Sequence, residues 1–439
     1  MEFRHRLTSH PCRLAASHDQ TTPKYDFFNR YTKRQSKKVN GPRINNIKNS
    51  NRYKFSLFLI RLLAAPTIFH IPAALRLRTH RFHSSCPGVR LAGIVSVMHI
   101  SEAEQKNSAS WESFVASHPG CVNYHRWAWK RVIEQAFGWR TFYLFAEHIG
   151  KISGILPLVW LKSRFFGNLL CSLPFFSEAG LLADTAEARE ALLTEAIRLA
   201  RDVKAEYIEL RHRGESPVSW PAKTKKVTLE CDVFPDPEEN MRHLSTKMRT
   251  NVRRSLKLGL EAKFGREEFL GDFYHVFCLK MRELGTPVYS RRFFDAILEN
   301  FPNESFICRV RHQGQTVAAG FLTGWRGMME ANWSASSPRA MNLRPNMFLF
   351  WQMLCFAGQK GYQIFDFGRS SIGSGTYEFK QQWNTRIIPM HWNSWTASGE
   401  KGLELNPDNP RYRAAIWTWQ RMPLLLTKWL GPPIARCLP

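Results

Sequence analysis

The sequence predicts an α+β protein of two tandem domains, each a mixed sheet flanked by helices. Three observations carry this. Helix-period and strand-period segments alternate along residues 98–397, and they recur in similar order in two halves. Between the halves stands Phe234-Pro-Asp-Pro, two prolines with turn chemistry. With 439 residues and 44% hydrophobic content the chain can bury a sizeable core and is not of the disordered class. The expected organisation is a basic extension over 1–97, a first domain over 98–234, a second over 235–397 carrying the main motifs, and an amphipathic tail over 398–439.

In the first domain, apolar residues recur at helical spacing over 108–136, with Trp111, Phe114, Trp129, Val132 and Ile133 on the repeat. Strands are expected at 141–147 and 152–160 around the turn at His148–Gly150. An amphipathic helix follows at 186–203, then short strands at 207–211 and 226–231. The second domain opens with a helical pattern over 236–258, with Gly259 as its C-cap. A strand at 261–264, helices at 267–284 and 291–300, and a hairpin of 305–311 with 315–325 come next. A strand at 328–334, a helix at 346–360 and a strand at 363–367 complete the pattern.

Charge is concentrated at the N-terminus: residues 1–97 hold 18 Lys and Arg against 3 Asp and Glu. The most apolar stretch there, 55–77, is broken by Arg61, Pro66, His70, Pro72 and Arg76, which argues against a membrane span, and residues 1–20 lack the apolar core of a secretory signal. Two readings fit this segment: an organelle targeting presequence, or an over-long gene model with the true start at Met98. The nine cysteines are widely spaced, without a Cys-x-x-Cys pair or zinc-ligand spacing, so no metal site is expected. Scattered single cysteines fit core positions in a reducing cytoplasm.

The chemistry concentrates in Phe365-Asp-Phe-Gly-Arg-Ser-Ser-Ile-Gly-Ser-Gly-Thr-Tyr-Glu-Phe-Lys-Gln-Gln-Trp383. A strand ending at Asp366 runs into a loop with three glycines, where Arg369 and the hydroxyls of Ser370, Ser371 and Ser374 suit a phosphate or carboxylate. Lys380 follows among Tyr377, Phe379 and Trp383, where desolvation sharpens its charge for stabilising the oxyanion of an acyl-transfer intermediate. A surface turn with an incidental lysine accounts for the same residues. Glu330 lies on an apolar strand and needs a partner or a task, because an unpaired buried carboxylate is costly. Asn346, after Arg344-Pro, leads into a helix and suits either substrate binding or capping. Lys247, Arg249, Arg253, Arg254 and Lys257 wrap several faces of one helix, which fits tRNA or lipid phosphates or a solvated face. In the tail, Trp417, Trp419, Leu424–Leu426 and Trp429 alternate with Arg421 and Lys428. Residues 412–430 thus suit a membrane interface or packing onto the domain.

Taken together these segments resemble the FemAB-related proteins associated with exosortase/PEP-CTERM systems, a branch of the GNAT-like FemAB family. The resemblance runs from Trp111 to the C-terminus. It rests on Gly154-Ile-Leu-Pro-Leu158, Lys162-Ser-Arg-Phe-Phe-Gly167, Ser172-Leu-Pro-Phe175, Lys247-Met-Arg-Thr-Asn251, Leu284-Gly-Thr-Pro-Val288 and Pro345-Asn346. Phe365-Asp-Phe-Gly-Arg-Ser370, Gly373-Ser-Gly-Thr-Tyr377, Phe379-Lys380, Gln382-Trp383 and His391-Trp392 complete it. It implies two GNAT-like (acyl-CoA N-acyltransferase-like) domains and direct transfer of an acyl or aminoacyl group to an amine on a cell-envelope or exopolysaccharide precursor. The implied donor is aminoacyl-tRNA or acyl-CoA, a co-substrate and not a tightly bound cofactor. Lys380 is then the transition-state stabiliser, Asp366 or Glu330 the base, and Arg344, Asn346, Arg369, Ser370, Thr376, Tyr377 and Trp383 the substrate-binding set. Lys247, Arg249 and Arg253 are the expected phosphate contacts. The implied location is the cytoplasm, with peripheral contact to the inner membrane.

The sequence departs from the family at Gln382-Trp-Asn-Thr385, where Gln-Trp-Gly-Ala is usual, and at Phe175-Phe-Ser-Glu-Ala-Gly180, which brings in Glu178. The Arg/Gln-x-x-Gly-x-Gly/Ala loop that holds coenzyme A pyrophosphate in simple acetyltransferases is also missing: Arg311-His-Gln-Gly314 continues Gln-Thr. The competing reading is a non-catalytic binding component of a polysaccharide or exosortase-associated membrane assembly.

Overall fold

The computed structural model describes residues 98–163, 167–398 and 410–437. The basic segment 1–97 lies outside them. The remainder runs β1 (His99–Glu102), α1 (Ser108–Ser117), α2 (Ala128–Phe137), β2 (Thr141–His148), β3 (Lys151–Ser163), β4 (Gly167–Cys171), β5 (Leu182–Ala183), α3 (Ala186–Asp202), β6 (Tyr207–Arg213), β7 (Ala222–Lys223) and β8 (Lys226–Asp232). It continues through α4 (Pro237–His243), α5 (Thr246–Leu256), β9 (Glu261–Gly265), α6 (Glu267–Leu284), α7 (Arg291–Asn300), β10 (Ser305–His312), β11 (Gln315–Trp325), β12 (Met328–Ser336) and α8 (Pro345–Gln359). Last come β13 (Ile364–Asp366), β14 (Ser370–Ser371), α9 (Gly375–Gln381), β15 (Arg386–Thr396), α10 (Pro410–Arg421) and α11 (Leu424–Ala435).

Local chemistry sets the main helix bounds. Thr185 accepts a hydrogen bond from the Ala188 amide at 3.2 Å and starts α3, whose Ala188, Leu192, Leu193, Ala196, Leu199 and Ala200 form the buried stripe. The pattern over 236–258 is two helices, not one. Leu244 turns inward as extended backbone, and Ser245 caps a new helix by accepting from the Met248 amide. Hydrophobic period alone did not register that break, because the apolar repeat continues across it. Likewise the repeat over 108–136 is interrupted between α1 and α2 by His118-Pro-Gly120.

The strands form one mixed sheet in the order β1-β2-β3-β4-β6-β15-β8-β13-β12-β11-β10-β9. Read from either end it repeats one plan. An antiparallel run (β2-β3-β4, or β10-β11-β12) is followed by a helix that crosses to a parallel partner, α3 to β6 and α8 to β13. The halves also exchange strands. β8 pairs with β13, and β15 joins the halves, pairing β8 through Arg386–Pro389 and β6 through Met390–Thr396. Position 234/235 is therefore a turn in the chain but not a gap in the sheet.

Helix α3 covers one half through Leu192 and Ala196 against Leu156 and Ile208, and α8 covers the other through Leu349 and Met353 against Leu322 and Met329. A third core joins the halves. Trp129 and Phe137 of α2 meet Phe301 and Phe293 at 4.6 and 5.1 Å between ring centroids. Among the described cysteines all are free; six are buried and Cys437 is half-buried. Helix α8 lies so close to the turn after β8 that a Cβ on Gly358 would sit 2.0 Å from the Phe234 carbonyl oxygen. Gly358→Ala is expected to cost ~1–3 kcal/mol by overpacking, read as a lower urea midpoint. An unchanged midpoint would show that the helix shifts without penalty.

Candidate active site

Paired strands put facing residues on one side of a sheet, and the register lines up Thr323 (β11), Glu330 (β12), Asp366 (β13), Glu230 (β8) and Arg386 (β15). Three adjacent carboxylates repel unless cations enter. Arg213, at the end of β6, supplies the charge: Nη1 donates to Asp366 Oδ2 at 3.1 Å and to Glu178 Oε2 at 3.2 Å, and Nη2 donates to Glu230. Burial pushes the Glu178 carboxyl up, Arg213 pulls it back, and Asp366 opposes ionisation further. Glu178 is thus a buried member of the network and does not face water.

Asp366 is 2% exposed and fully engaged. Its Oδ1 accepts from the Thr228 hydroxyl and from the Gly368 amide at 2.7 Å, while Oδ2 takes Arg213. Gly368 has φ +74°, and a Cβ there would lie 2.9 Å from the Ala331 carbonyl oxygen, so the turn after β13 needs glycine on both counts. Lys380 holds the same turn from the other side. Helix α9, capped by Ser374, points Lys380 inward, and its ammonium donates to the carbonyls of Gly368 at 2.7 Å and Arg369 at 3.1 Å. Burial lowers its pKa to about 8, against the fields of Asp366 and Glu330, which favour the charge.

Glu330 is held differently. Its Oε2 accepts from the Tyr124 hydroxyl, which in turn accepts from Asn332 Nδ2 at 2.6 Å. Asn332 is the bulged residue of β12, skipped where Phe321 faces Trp333 and Leu322 faces Ala331, and the bulge aims its amide at Tyr124. Among the described residues no cation pairs with Glu330 directly. Burial first, then Asp366 and Glu178, push its carboxyl well above the ordinary carboxylate range. Pairing of β12 with β13 ends at Glu330–Asp366, and β12 runs on to Ser336 without a β13 partner. Glu330 stands at the apex of that opening.

Arg369, half-buried beside the turn, has no ion pair or side-chain hydrogen bond among the described residues. Its guanidinium lies 5.0 Å from the Trp392 ring, which also receives Arg211 at 4.2 Å. Arg211 is neutralised by Glu209, whose Oε1 accepts from its Nη2 at 2.7 Å. Burial and the nearby Arg211 both lower the pKa of Arg369.

The structure gathers Glu330, Asp366, Arg369 and Lys380 into one site, with the Ser370 hydroxyl buried and unpartnered beside them. Thr376 is exposed and bonds Ser374 at 3.0 Å, and the half-buried Tyr377 accepts from Gln381 at 2.9 Å. Trp383 is 1% exposed and packs on Phe350, Phe367 and Phe379, on the side of the sheet where it lines a small hollow with Asn240, His243 and Asn384. Arg344 and Asn346 lie at the start of α8, beyond the far end of β12. Arg344 takes φ +52° and donates to Asn251 of α5 at 3.1 Å. The end of β12 at Ser336 lies about 20 Å along the strand from Glu330 at ~3.3 Å per residue. On α5, Lys247 and Arg253 are exposed, while Arg249 turns back onto the carbonyls of Arg242 and Leu244. Sequence reasoning did not pick out Arg213, Glu230 or Tyr124. Charges at 209, 211 and 213, alternating along an otherwise apolar strand, were the available signal for Arg213.

Residues 246–381 match the family model described as an acetyltransferase (GNAT) domain. Among solved structures, a crystal structure of FemX is similar with a TM-score of 0.52 at 15% identity, covering 67% of this chain and 97% of that one. A tandem GNAT protein from the clavulanic acid biosynthesis pathway gives 0.47 at 10% identity, covering 69% and 99%. L-PGS from Bacillus licheniformis gives 0.43 at 11% identity, covering 74% and 96%. No curated protein sequence matches the chain significantly. The chain therefore carries a GNAT-like acyltransferase domain, built into a mixed sheet flanked by helices.

Proposed function

We propose that this protein is an N-acyltransferase that moves an acyl or aminoacyl group onto an amine of a cell-envelope or exopolysaccharide precursor, with Glu330 as the base. One observation carries the assignment. Glu330 is the carboxylate at the site without a cation of its own, at the apex of the strand opening, and its affinity for protons is raised. An acceptor ammonium passes a proton to Glu330, and the neutral amine attacks the donor carbonyl carbon. The C–N bond forms, the oxyanion collapses, and the thiolate or ribose oxygen leaves with the bonding pair and takes up the second proton that the nitrogen releases. Asp366 is less suited to the base role because it is buried and already accepts from Arg213, Thr228 and the Gly368 amide; it positions the turn. Lys380 spends two of its three N–H donors on that turn and keeps one for the oxyanion. Arg369 faces an anionic group of substrate, with Ser370 and Tyr377 beside it, while Trp383 supports the turn from the core.

At the far mouth, the N-terminus of α8 with Arg344 and Asn346, and the basic face of α5 with Lys247 and Arg253, suit donor phosphates. Both acyl-CoA and aminoacyl-tRNA carry such phosphates. The resemblance to FemAB-related proteins supports the amine acceptor, and to their exosortase/PEP-CTERM branch the exopolysaccharide class. These precursors place the enzyme at the cytoplasmic face of the inner membrane. The test offers charged tRNAs and acyl-CoA thioesters to the full chain with amine-bearing wall and polysaccharide precursors, and follows products by mass spectrometry. Product from one donor class, lost in Glu330→Gln, is expected; no product from any pairing would overturn the reading.

Lys380→Met should lower turnover by roughly 100-fold, the scale of a small misplacement of reacting groups. It should also change the pH dependence of stability. The folded pKa of about 8 lies below the unfolded value, so between them the unfolded chain binds more protons and wild-type stability gains as pH rises. Urea midpoints from pH 8 to 10.5 should rise less steeply in the variant; parallel curves would show Lys380 to be solvated.

A further inference from the structure

Helices α10 and α11 close the chain against α6. Their inner side is fixed: Trp419, Leu430, Gly431 and Ala435 are buried, Gly431 backs onto Val288, and Gln420 donates to the Glu283 carbonyl at 2.8 Å. The outer side is another matter. Of ten exposed large hydrophobic residues among those described, four lie within 417–429: Trp417 at 57%, Leu425 at 80%, Leu426 at 45% and Trp429 at 68%. Residues 410–437 hold five Lys and Arg and no Asp or Glu. Arg413, Trp417 and Arg421 recur at four-residue steps on one face of α10, and the Arg421 guanidinium lies 3.9 Å from the Trp417 ring. Leu425 and Trp429 of α11, with Arg436 at its C-cap, share a face by helical spacing and are all exposed.

We propose that this face docks on an anionic lipid bilayer, with Trp417, Leu425 and Trp429 entering the headgroup boundary and the flanking cations meeting lipid phosphates. Tryptophan beside arginine and lysine is the composition that settles at that depth. Neither helix spans: among the described residues no helix is long and apolar enough to cross a membrane. Charge decides against a second copy of the chain, because a symmetric contact would set this acid-free face against itself. The strongly basic residues 1–97 are unsuitable occupants for the same reason. This surface is independent of the transfer reading and stands or falls without it.

The test is co-sedimentation of the full chain with phosphatidylglycerol/phosphatidylcholine vesicles and with phosphatidylcholine vesicles alone, using wild type and a Leu425→Glu, Trp429→Glu double variant. Both positions are largely exposed, so the variant should keep its urea midpoint. Wild type should bind the anionic vesicles, less strongly as salt is raised. The variant should lose at least tenfold in partitioning, and brominated lipid should quench tryptophan emission in wild type only. Equal binding by the two proteins would overturn the proposal, as would equal wild-type binding to both vesicle types or none to either. A wild-type dimer that the variant dissociates would assign the face to a second copy instead.

Discussion

Replacing Glu330 by Gln should reduce transfer by roughly 10²–10⁴-fold, the range a positioned general base contributes, while leaving the fold intact. Glutamine keeps the shape and can still accept from Tyr124, so the aromatic wall has no cause to move. What disappears is the ability to take the ammonium proton. The sign of the stability effect separates this from a packing role. The Glu330 carboxyl binds its proton more tightly in the folded chain than in the unfolded one, because burial and its acidic neighbours oppose ionisation. Its contribution is therefore full below the unfolded value and lost as pH rises through the folded one. At pH 8 the ionised side chain costs stability, and Gln should unfold at an equal or higher urea concentration. Loss of activity without loss of stability is the combination expected of a base. Wild-type kcat should also rise with pH along a limb displaced above the ordinary carboxylate range, and that limb should be missing from the residual rate of the variant. Turnover within threefold of wild type would remove Glu330 from the mechanism.

The parts of this site that could be read from sequence are those whose chemistry is local. Glycines, an arginine and hydroxyls within a few residues of Asp366 announce a ligand-facing turn, and the structure builds that turn with Gly368 in a left-handed conformation. Glu330 stood out because a carboxylate on an apolar strand needs an explanation. The long-range parts left no such trace. Tyr124 meets Glu330 from 206 positions away, and nothing around Tyr124 marks it. Strand β15 was not foreseen because Arg386-Ile-Ile-Pro-Met-His alternates poorly; its role as the joint between halves depends on partners, β6 and β8, that no local pattern specifies. Trp383 shows the opposite failure. An aromatic residue beside a reactive-looking lysine suggests a wall of the same cleft, yet just past helix α9 its indole packs on Phe350 and Phe367 and lines a separate hollow, while Lys380 reaches toward the turn. Sequence spacing gives the neighbours of a residue along the helix but not which of them the core claims.

Arg213→Met should destabilise the protein by ~3–5 kcal/mol, the cost of removing one partner from a buried ion cluster. Methionine fills much of the same volume, so the loss is electrostatic: Glu178, Glu230 and Asp366 are left facing one another with their shared cation gone. The pH dependence follows from the same charges. Arg213 is the cation that offsets the burial of Glu178, whose carboxyl is already raised, so without it the deficit should grow as pH rises and shrink as it falls toward 5. Urea midpoints at pH 5 and pH 8 test this directly. A second change, Glu230→Gln in the Arg213→Met background, removes one of the stranded anions and should recover part of the loss at pH 8, a non-additivity expected only of residues in contact. Equal deficits at both pH values and no recovery would mean that water already screens the cluster. The ordering of the turn that carries Arg369 would then rest on Lys380, the Thr228 and Gly368 contacts to Asp366, and the pairing of β14 with β8. A large, pH-dependent loss with recovery would make Arg213 the residue through which one half of the sheet fixes the active turn of the other.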